Sequence, residues 1–404
     1  MPSLPDTAYV LVGRCLAPSL TDIQRDELAR DLARPGIRWE ILLAEANRQQ
    51  ATPLWYARLQ EHDLLGRLPD DLTAYLAQLH AANNERNRML RDELVAILTL
   101  FNTAGIPVIL LKGAATFADQ LYADNGARLM ADLDLLVPKA QVREAERLLM
   151  MKGYVDDPQD RRHLDVWPAS ARHGHIATLL HLRKKSAVEL HYNVAYGQTG
   201  RILTVEDATT AAVVGTLRDR AVAWLSPDHR LLHNALHATL PHREFQQGRV
   251  RLSDLAEFAA LAARYAEDIA LERFWSVIRR HGLITTVGVY VLMARLLMRS
   301  VVKTRDITET SWHRARLLRD SPAALENADR WKAMRPICWR TVSLIYDRLF
   351  LPAWVWRNVC YGDSLTSIPA RLNCFTSQLV TRTLHIVRSL VGRIRRKTDE
   401  PEDR

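Results

Sequence analysis

The stretch VILLKGAATFADQLYADNGARLMADLDLLV, residues 108–137, decides the fold. It begins with an apolar run that ends at Lys112 and closes with a second apolar run that carries Asp132 and Asp134. Side chains on a strand alternate between faces, so two aspartates two residues apart share one face. Two like charges on a buried strand repel each other and are costly to desolvate, and a divalent cation removes that cost. Because Mg²⁺ commonly binds one or two carboxylates together with substrate phosphates, the stretch predicts a metal-dependent site for a nucleoside triphosphate.

Length and composition are those of an ordinary globular chain. The 404 residues allow two or three domains, and 48% of them are hydrophobic and 25% charged. Four cysteines without CxxC spacing predict free thiols in a reducing cytoplasm. The N-terminus lacks a basic segment followed by a long apolar one, and no apolar run reaches the roughly 18 residues of a membrane span. We therefore expect a cytoplasmic protein without a signal peptide.

The positive charge of the chain is concentrated near its end. Residues 301–404 contain 19 Lys and Arg against 11 Asp and Glu, which accounts for +8 of the net charge of +9. Tryptophan and arginine are interleaved over residues 331–357, a pattern that fits either a peripheral membrane-binding surface or a packed core helix. No groove-binding motif is present, so nucleic acid is not an expected partner.

Apolar periodicity and turn residues divide the chain into four regions. We predict an N-terminal helical region at 1–103, a core at 104–197, a helical domain at 198–300, and a basic, tryptophan-rich helical tail with a disordered end at 301–404. Within the core, 139–152 is predicted as a helix, Tyr154-Val155 as the start of a strand, and 175–182 and 187–193 as a strand pair.

The polar string NNERNR, residues 83–88, lies inside a long helix that is predicted to follow Asp70-Asp71. We interpret the string as a solvated face. The alternative is that Asn87 or Arg91 faces the functional site. Between the predicted strands of the core, the polar segment 156–174 offers Arg172 and His173 as further candidates.

Three motifs carry a family resemblance. LLKGAATFADQLY (110–122), RLMADLDLLV (128–137) and VELHYNV (188–194) resemble the family described as uncharacterised bacterial nucleotidyltransferases, a branch of the nucleotidyltransferase superfamily. The resemblance extends from about Trp39 to about Glu257. It implies an α+β fold, in which a small mixed-sheet nucleotidyltransferase core is flanked by N-terminal and C-terminal α-helical regions.

The resemblance also implies the catalytic residues. In the superfamily two aspartates bind the metal and a third acid on a later strand completes the site, and the matching positions here are Asp132, Asp134 and Glu189. One departure concerns the Gly-Ser that usually follows the first strand. It is replaced by Lys112-Gly113, so a serine that would touch phosphate is missing, and Lys112 is a candidate cationic substitute.

The residues around these acids have candidate roles of their own, and several have more than one. Gly113 would let the backbone approach phosphate at a helix N-terminus. Arg128 could bind the triphosphate or pair with Asp132, and Lys112 could reach phosphate or be a surface lysine. His191 could orient Glu189, contact the nucleotide or simply be packed.

Residues of the helical domain add further candidates. Asp254 is a candidate base, an acceptor-binding acid or an N-terminal helix charge. His233 and His237 have the i, i+4 spacing of two metal ligands, but no glutamate follows in the HExxH manner. These histidines are therefore expected to face the site or the core.

We predict a Mg²⁺-dependent enzyme that moves a nucleoside monophosphate from an NTP, ATP by default, to a hydroxyl of a small-molecule or protein acceptor. The rival prediction is a non-catalytic adaptor of the same fold or a membrane-peripheral binding protein, favoured by the missing serine and the basic tail. For Asp132 and Asp134 alone, a pair of solvent-facing acids on an edge strand is the simpler alternative.

Overall fold

A mixed sheet of seven strands forms the centre of the protein, seen in a computed structural model that describes residues 8–157, 174–176, 178–181, 186–195, 197–240, 245, 250–300 and 302. The strands are β1 (Ile109–Leu110), β2 (Leu133–Leu136), β3 (Val155–Asp156), β4 (Leu179–His181), β5 (Ser186–His191), β6 (Val213–Leu217) and β7 (Arg220–Trp224). Their order is β3-β4-β5-β2-β1-β7-β6. The pairs β2–β5 and β1–β7 are parallel, and the other pairs are antiparallel.

The described ranges contain thirteen α-helices as well as this sheet. Before it lie α1 (Ala8–Cys15), α2 (Asp22–Leu32), α3 (Trp39–Arg48), α4 (Thr52–Glu61) and α5 (Asp70–Thr103). Among the strands lie α6 (Lys112–Asp119), α7 (Val142–Met151), α8 (Gly197–Ile202) and α9 (Val205–Thr210), and after them α10 (Pro227–Thr239), α11 (Leu252–Arg264), α12 (Leu271–Arg280) and α13 (Ile284–Met298). The α+β class with a mixed sheet between helical regions is thus confirmed, as are the predicted helix after Asp70 and the strand pair, seen as β4–β5.

The apolar core shows how the helices are held. One hydrophobic cluster combines side chains of α1–α4 with those of α10–α13, so the two helical regions bury their apolar faces against each other. A second cluster lies against the sheet. The 34-residue helix α5 contributes Leu72 and Leu76 to the first cluster and the stretch from Leu90 to Phe101 to the second. It therefore links the helical layer to the sheet.

The hairpin β6–β7 lies inside residues 198–300, so the expectation of a purely helical region there is corrected. Two residues, Arg218 and Asp219, connect its strands with φ angles of 46° and 64°. Positive φ at both central residues is the geometry of the tight turns that match strand twist. Such turns are usually recognised by glycine or asparagine, which this one lacks. The hairpin pairs through β7 with β1, so the sheet extends beyond residue 197.

Several predictions fall outside the described residues. They concern the basic tail, apart from Val302, and the candidates Arg172 and His173. In the part of the chain that the structure describes, no helix combines the length and the apolar character needed to cross a membrane.

Candidate active site

Asp134 and Glu189 lie directly opposite each other on the parallel strands β2 and β5. Residues paired across neighbouring strands project to the same face of a sheet, so the two carboxylates share one side. Asp134 keeps only 2% of its surface exposed, and 19% of the Glu189 side chain is accessible. Two carboxylates held together with so little water require a positive partner.

Lys112 is one such partner. Its Nζ donates a hydrogen bond of 2.6 Å to Asp134 Oδ1 and lies 4.0 Å from Glu189 Oε2. Burial favours the neutral amine, but the charges of Asp134 and Glu189 outweigh it and hold the pKa of Lys112 above its usual value. Lys112 has a φ of 43°, which is uncommon for a residue with a side chain, at the point where β1 gives way to α6. The ammonium group therefore stays charged beside the carboxylates.

His191 is a second neighbour of the two carboxylates. It follows Glu189 by two residues on β5, and its Nε2 lies 2.9 Å from Asp134 Oδ1 and 3.4 Å from Glu189 Oε2. The ring is 4% exposed and packs against His175, with ring centroids 5.2 Å apart. Burial acts to lower the pKa of His191, but hydrogen bonding to the two carboxylates raises it overall. The histidine thus fixes the orientation of Asp134 and Glu189.

Asp132 lies immediately before β2, and its pKa is affected by the charges of Asp134, Glu189 and Lys112. Burial, together with the charges of Asp134 and Glu189, raises the pKa of Asp132 to about 7. The pKa of Asp134 moves the opposite way: burial acts to raise it, but Lys112 and His191 hold it well below its usual range. Asp134 is therefore the permanent anion of the site, and Asp132 is the carboxylate whose charge is suppressed by its neighbours.

Arg128 has a partner that the sequence did not indicate. Its Nε and Nη2 lie 2.9 and 2.7 Å from Glu257 Oε2, on α11, so the guanidinium forms an ion pair across 129 residues of sequence. Gly113 lies against the guanidinium group of Arg128. A Cβ at Gly113 would stand 2.2 Å from Arg128 Nη1 and 2.8 Å from Met130 Sδ. Arg128 thus occupies the space that a side chain at residue 113 would fill, while the approach to phosphate expected of Gly113 stays a prediction.

The polar string of α5 faces the interior at three positions, so its interpretation as a solvated face holds only for the exposed residues Asn84, Glu85 and Arg88. Asn83, Arg86 and Asn87 are buried, with 0%, 5% and 1% exposure. Their spacing of i, i+3 and i+4 places them on one side of the helix. That spacing is the signal by which the sequence could have identified them. We call these three residues the polar clamp.

The polar clamp holds the segment between α6 and β2 by its backbone. Asn83 Nδ2 donates to the carbonyls of Gly126 (2.7 Å) and Arg128 (2.9 Å), Asn87 Nδ2 to those of Asn125 (2.6 Å) and Arg128 (2.8 Å), and Arg86 to those of Met130 (3.2 Å) and Ala131 (3.1 Å). This segment carries Arg128 and leads into Asp132. The six bonds therefore set the position from which both side chains enter the site.

A cleft adjoins Lys112 and Arg128 and enters the helical layer. It holds about 490 Å³ of empty space, part of it open to solvent, and its lining is Leu110, Lys112, Arg128, Leu225, Arg230, His233, Asn234, His237, Asp254 and Glu257. The cleft thus joins residues of the sheet region to residues of α10 and α11. Asp254 lies in the first turn of α11, and its carbonyl accepts a 3.2 Å hydrogen bond from Asn234.

Two histidines of α10, His233 and His237, line this cleft. His233 and His237 have ring centroids 6.0 Å apart. Burial and the charge of Lys112 lower the pKa of His233 to about 4, so its imidazole is neutral near pH 7. Helix α10 begins at Pro227, and the side chain of Ser226 caps it by accepting a hydrogen bond from the backbone N–H of His229. The cap defines where the helix starts.

Within the described ranges, one group of side chains has the geometry to hold a metal ion. It consists of Asp134, Glu189 and His191, whose ligand atoms lie within 4.8 Å of one another. The oxygens of the two carboxylates suit Mg²⁺ and Mn²⁺, and the spacing of the three ligand atoms is that of ligands around a single ion. The residues present therefore fit a divalent cation, with Asp132 beside them and Lys112 as a competing positive charge.

The fold and the site together define a nucleotidyltransferase-like protein. A family model described as "uncharacterised nucleotidyltransferase" matches residues 35–299, about two thirds of the chain. The protein belongs to this family. Neither curated proteins nor solved structures give a significant match.

Proposed function

We propose that this protein is a metal-dependent nucleotidyltransferase that moves a nucleoside monophosphate from an NTP to a hydroxyl group of an acceptor. The observation that carries the proposal is the pairing of Asp134 with Glu189 across β2 and β5, with His191 against both. Nucleotidyl transfer needs a fixed carboxylate site of this kind, because the charge of the reacting phosphate must be neutralised.

The charge balance of the site leaves room for a divalent cation. Asp132, Asp134 and Glu189 can carry three negative charges, and Lys112 supplies one positive charge close to Asp134 and Glu189. Asp134 and Glu189 would hold the ion, with Asp132 completing the set as its pKa falls next to a cation. When bound, the ion supplies Lewis-acid stabilisation of the phosphate oxygens. Mg²⁺ is the default choice for a set of carboxylates.

The remaining residues fit roles in binding and orientation. Arg128 and Lys112 bring positive charge to the mouth of the cleft, where triphosphate oxygens would lie. Glu189, the more accessible of the two paired carboxylates, is the candidate to accept the proton of the acceptor hydroxyl. The cleft toward Asp254 offers space for an acceptor, either a small molecule or a protein side chain, and its lining of charged and amide groups suits a polar one.

Calorimetric titration of ATP and then of the other NTPs, with and without Mg²⁺, tests the proposal. The comparison includes the wild type, Asp134→Asn and, as a matched control, Asp219→Asn in the exposed turn of the β6–β7 hairpin. Metal-dependent binding by the wild type and the control, abolished in Asp134→Asn, is the expected result. Equal binding by all three proteins would place the nucleotide elsewhere.

A second candidate is a non-catalytic adaptor of the same fold, possessing no turnover. The observation in its favour is the 2.6 Å contact between Lys112 and Asp134, since an internal ammonium can stand in for a metal ion. Lys112→Met separates the two candidates. A transferase with a cationic phosphate contact binds NTP more weakly after this exchange, whereas an adaptor binds no NTP before or after it.

A further inference from the structure

We propose that His191 is a direct ligand of the metal ion, and that the site therefore takes Mn²⁺ in preference to Mg²⁺. This inference rests on the proposed function and goes beyond the carboxylate set that the sequence predicts. It concerns the identity of the ion, which in turn determines the conditions under which the protein is active.

The position of His191 supports direct ligation. Its Nε2 is the ring atom that faces the carboxylates, 2.9 Å from Asp134 Oδ1 and 3.4 Å from Glu189 Oε2. Ligands that occupy adjacent positions around an ion with bonds near 2.1 Å are separated by about 3 Å. The nitrogen therefore lies at the distance from each oxygen that shared coordination requires.

The surroundings of His191 keep it in this place. The ring is 4% exposed and contacts His175, whose backbone forms a bridge with that of His191. Glu189 and His191 belong to one strand, and Asp134 belongs to the strand paired with it. The three ligand atoms are thus fixed by the sheet and need no loop movement to come together. Such rigidity is typical of built metal sites.

The chemistry of the donor set decides the preference. Mg²⁺ is a hard cation that favours oxygen ligands and keeps several water molecules. Imidazole nitrogen suits transition ions, and Mn²⁺ is the first-row divalent ion that also suits carboxylate oxygens. A site with two carboxylates and one imidazole therefore gains more from Mn²⁺ than from Mg²⁺. Three carboxylates alone, the set predicted from the sequence, lack the nitrogen donor on which this preference depends.

The competing role for His191 is orientation of Asp134 without contact with the ion. In that role glutamine would donate a similar hydrogen bond, and affinities for Mg²⁺ and Mn²⁺ would change together. Loss of partners that do not touch the metal already costs about 10–100-fold in affinity, so loss of a ligand is expected to cost at least about tenfold. The selective loss of Mn²⁺ affinity distinguishes the two roles.

The test uses the full-length protein, with each metal alone and with a non-hydrolysable ATP analogue. Calorimetry compares Mg²⁺ and Mn²⁺ on the wild type, on His191→Gln and on His281→Gln, the same exchange at an exposed helix end. Pulsed electron paramagnetic resonance of bound Mn²⁺ looks for coupling to a ring nitrogen in the wild type, a measurement that needs no variant.

The expected result is tighter binding of Mn²⁺ with nitrogen coupling in the wild type and in His281→Gln. In His191→Gln, the coupling disappears and Mn²⁺ affinity falls at least about tenfold, while Mg²⁺ affinity changes less. Equal affinities for both metals without nitrogen coupling would overturn this inference and leave the proposed function standing. Binding of neither metal, with or without the analogue, would overturn both.

Discussion

Replacing Asn87 by alanine removes two hydrogen bonds of the polar clamp, to the carbonyls of Asn125 and Arg128. A hydrogen bond contributes about 1 kcal/mol net, and a buried acceptor left unsatisfied costs about 1–3 kcal/mol. Here the Arg128 carbonyl keeps its 2.9 Å bond from Asn83, and the exposed residue Asn125 can be rehydrated. We therefore expect Asn87→Ala to lower the free energy of unfolding by about 1–2 kcal/mol, at the lower end of these values.

The double variant Asn83→Ala/Asn87→Ala tests the shared acceptor. In each single variant one donor to the Arg128 carbonyl remains, but in the double variant both are lost. Residues that share a hydrogen-bond partner are not additive. The double variant is therefore expected to lose about 1 kcal/mol more than the sum of the two single losses, because only then is that carbonyl unsatisfied.

Urea unfolding followed by circular dichroism measures these differences. Asn84→Ala is the matched control, since Asn84 is an exposed asparagine on the same helix next to Asn83. A loss for Asn87→Ala within about 0.5 kcal/mol of the control would show that the clamp contributes no stability. Strict additivity in the double variant would refute the role given to the Arg128 carbonyl.

Three further predictions concern the site and its surroundings. Gly113→Ala places a methyl group against the guanidinium of Arg128, so the free energy of unfolding should fall by about 1–3 kcal/mol in urea titrations. An unchanged urea midpoint would contradict the close packing of Gly113 against Arg128. Glu257→Gln breaks the largely buried ion pair with Arg128 and should lower the free energy of unfolding by about 2–4 kcal/mol. Glu85→Gln breaks the exposed pair with Arg88 and should leave the urea midpoint unchanged. Equal effects of the two exchanges would contradict the structural role given to the Arg128–Glu257 pair. The pKa of His233 is lowered to about 4 in the folded protein, whereas a histidine of the unfolded chain has a pKa of about 6.5. As the pH drops from about 6.5 toward 4, the unfolded chain therefore binds this proton first, and the free energy of unfolding should fall by up to about 3 kcal/mol. Urea titrations across this pH range should show a shallower fall for His233→Gln, and an identical fall would refute the pKa assignment.

The sequence predicted the parts of the site that depend on local pattern. Asp134 and Glu189 could be placed together because each lies in an apolar run typical of a buried strand, and the family resemblance related the two runs. The helix that begins at Asp70 was likewise visible from its length and its acidic first turn. Each apolar run and the helix are formed by residues close together in the chain, where periodicity is informative. The relation between the two runs came from the resemblance.

Other parts depend on tertiary contacts that no local pattern encodes. The pair Arg128–Glu257 joins residues 129 positions apart, and only the fold brings α11 to the loop before β2. The spacing of the polar clamp places Asn87 on one side of α5, but only the fold shows that this side faces the carbonyl-rich segment before β2. The β6–β7 hairpin was missed because its turn, Arg218-Asp219, has positive φ angles without the glycine that normally marks them.

Diffraction from crystals soaked with Mn²⁺ and a non-hydrolysable NTP, recorded for anomalous scattering, tests the central claim most directly. We predict one anomalous peak within bonding distance of Asp134 and Glu189, with the Lys112 ammonium displaced from Asp134 and phosphate oxygens on the ion. Lys112 still paired with Asp134, and no anomalous peak beside the two carboxylates, would contradict the account and favour the non-catalytic adaptor.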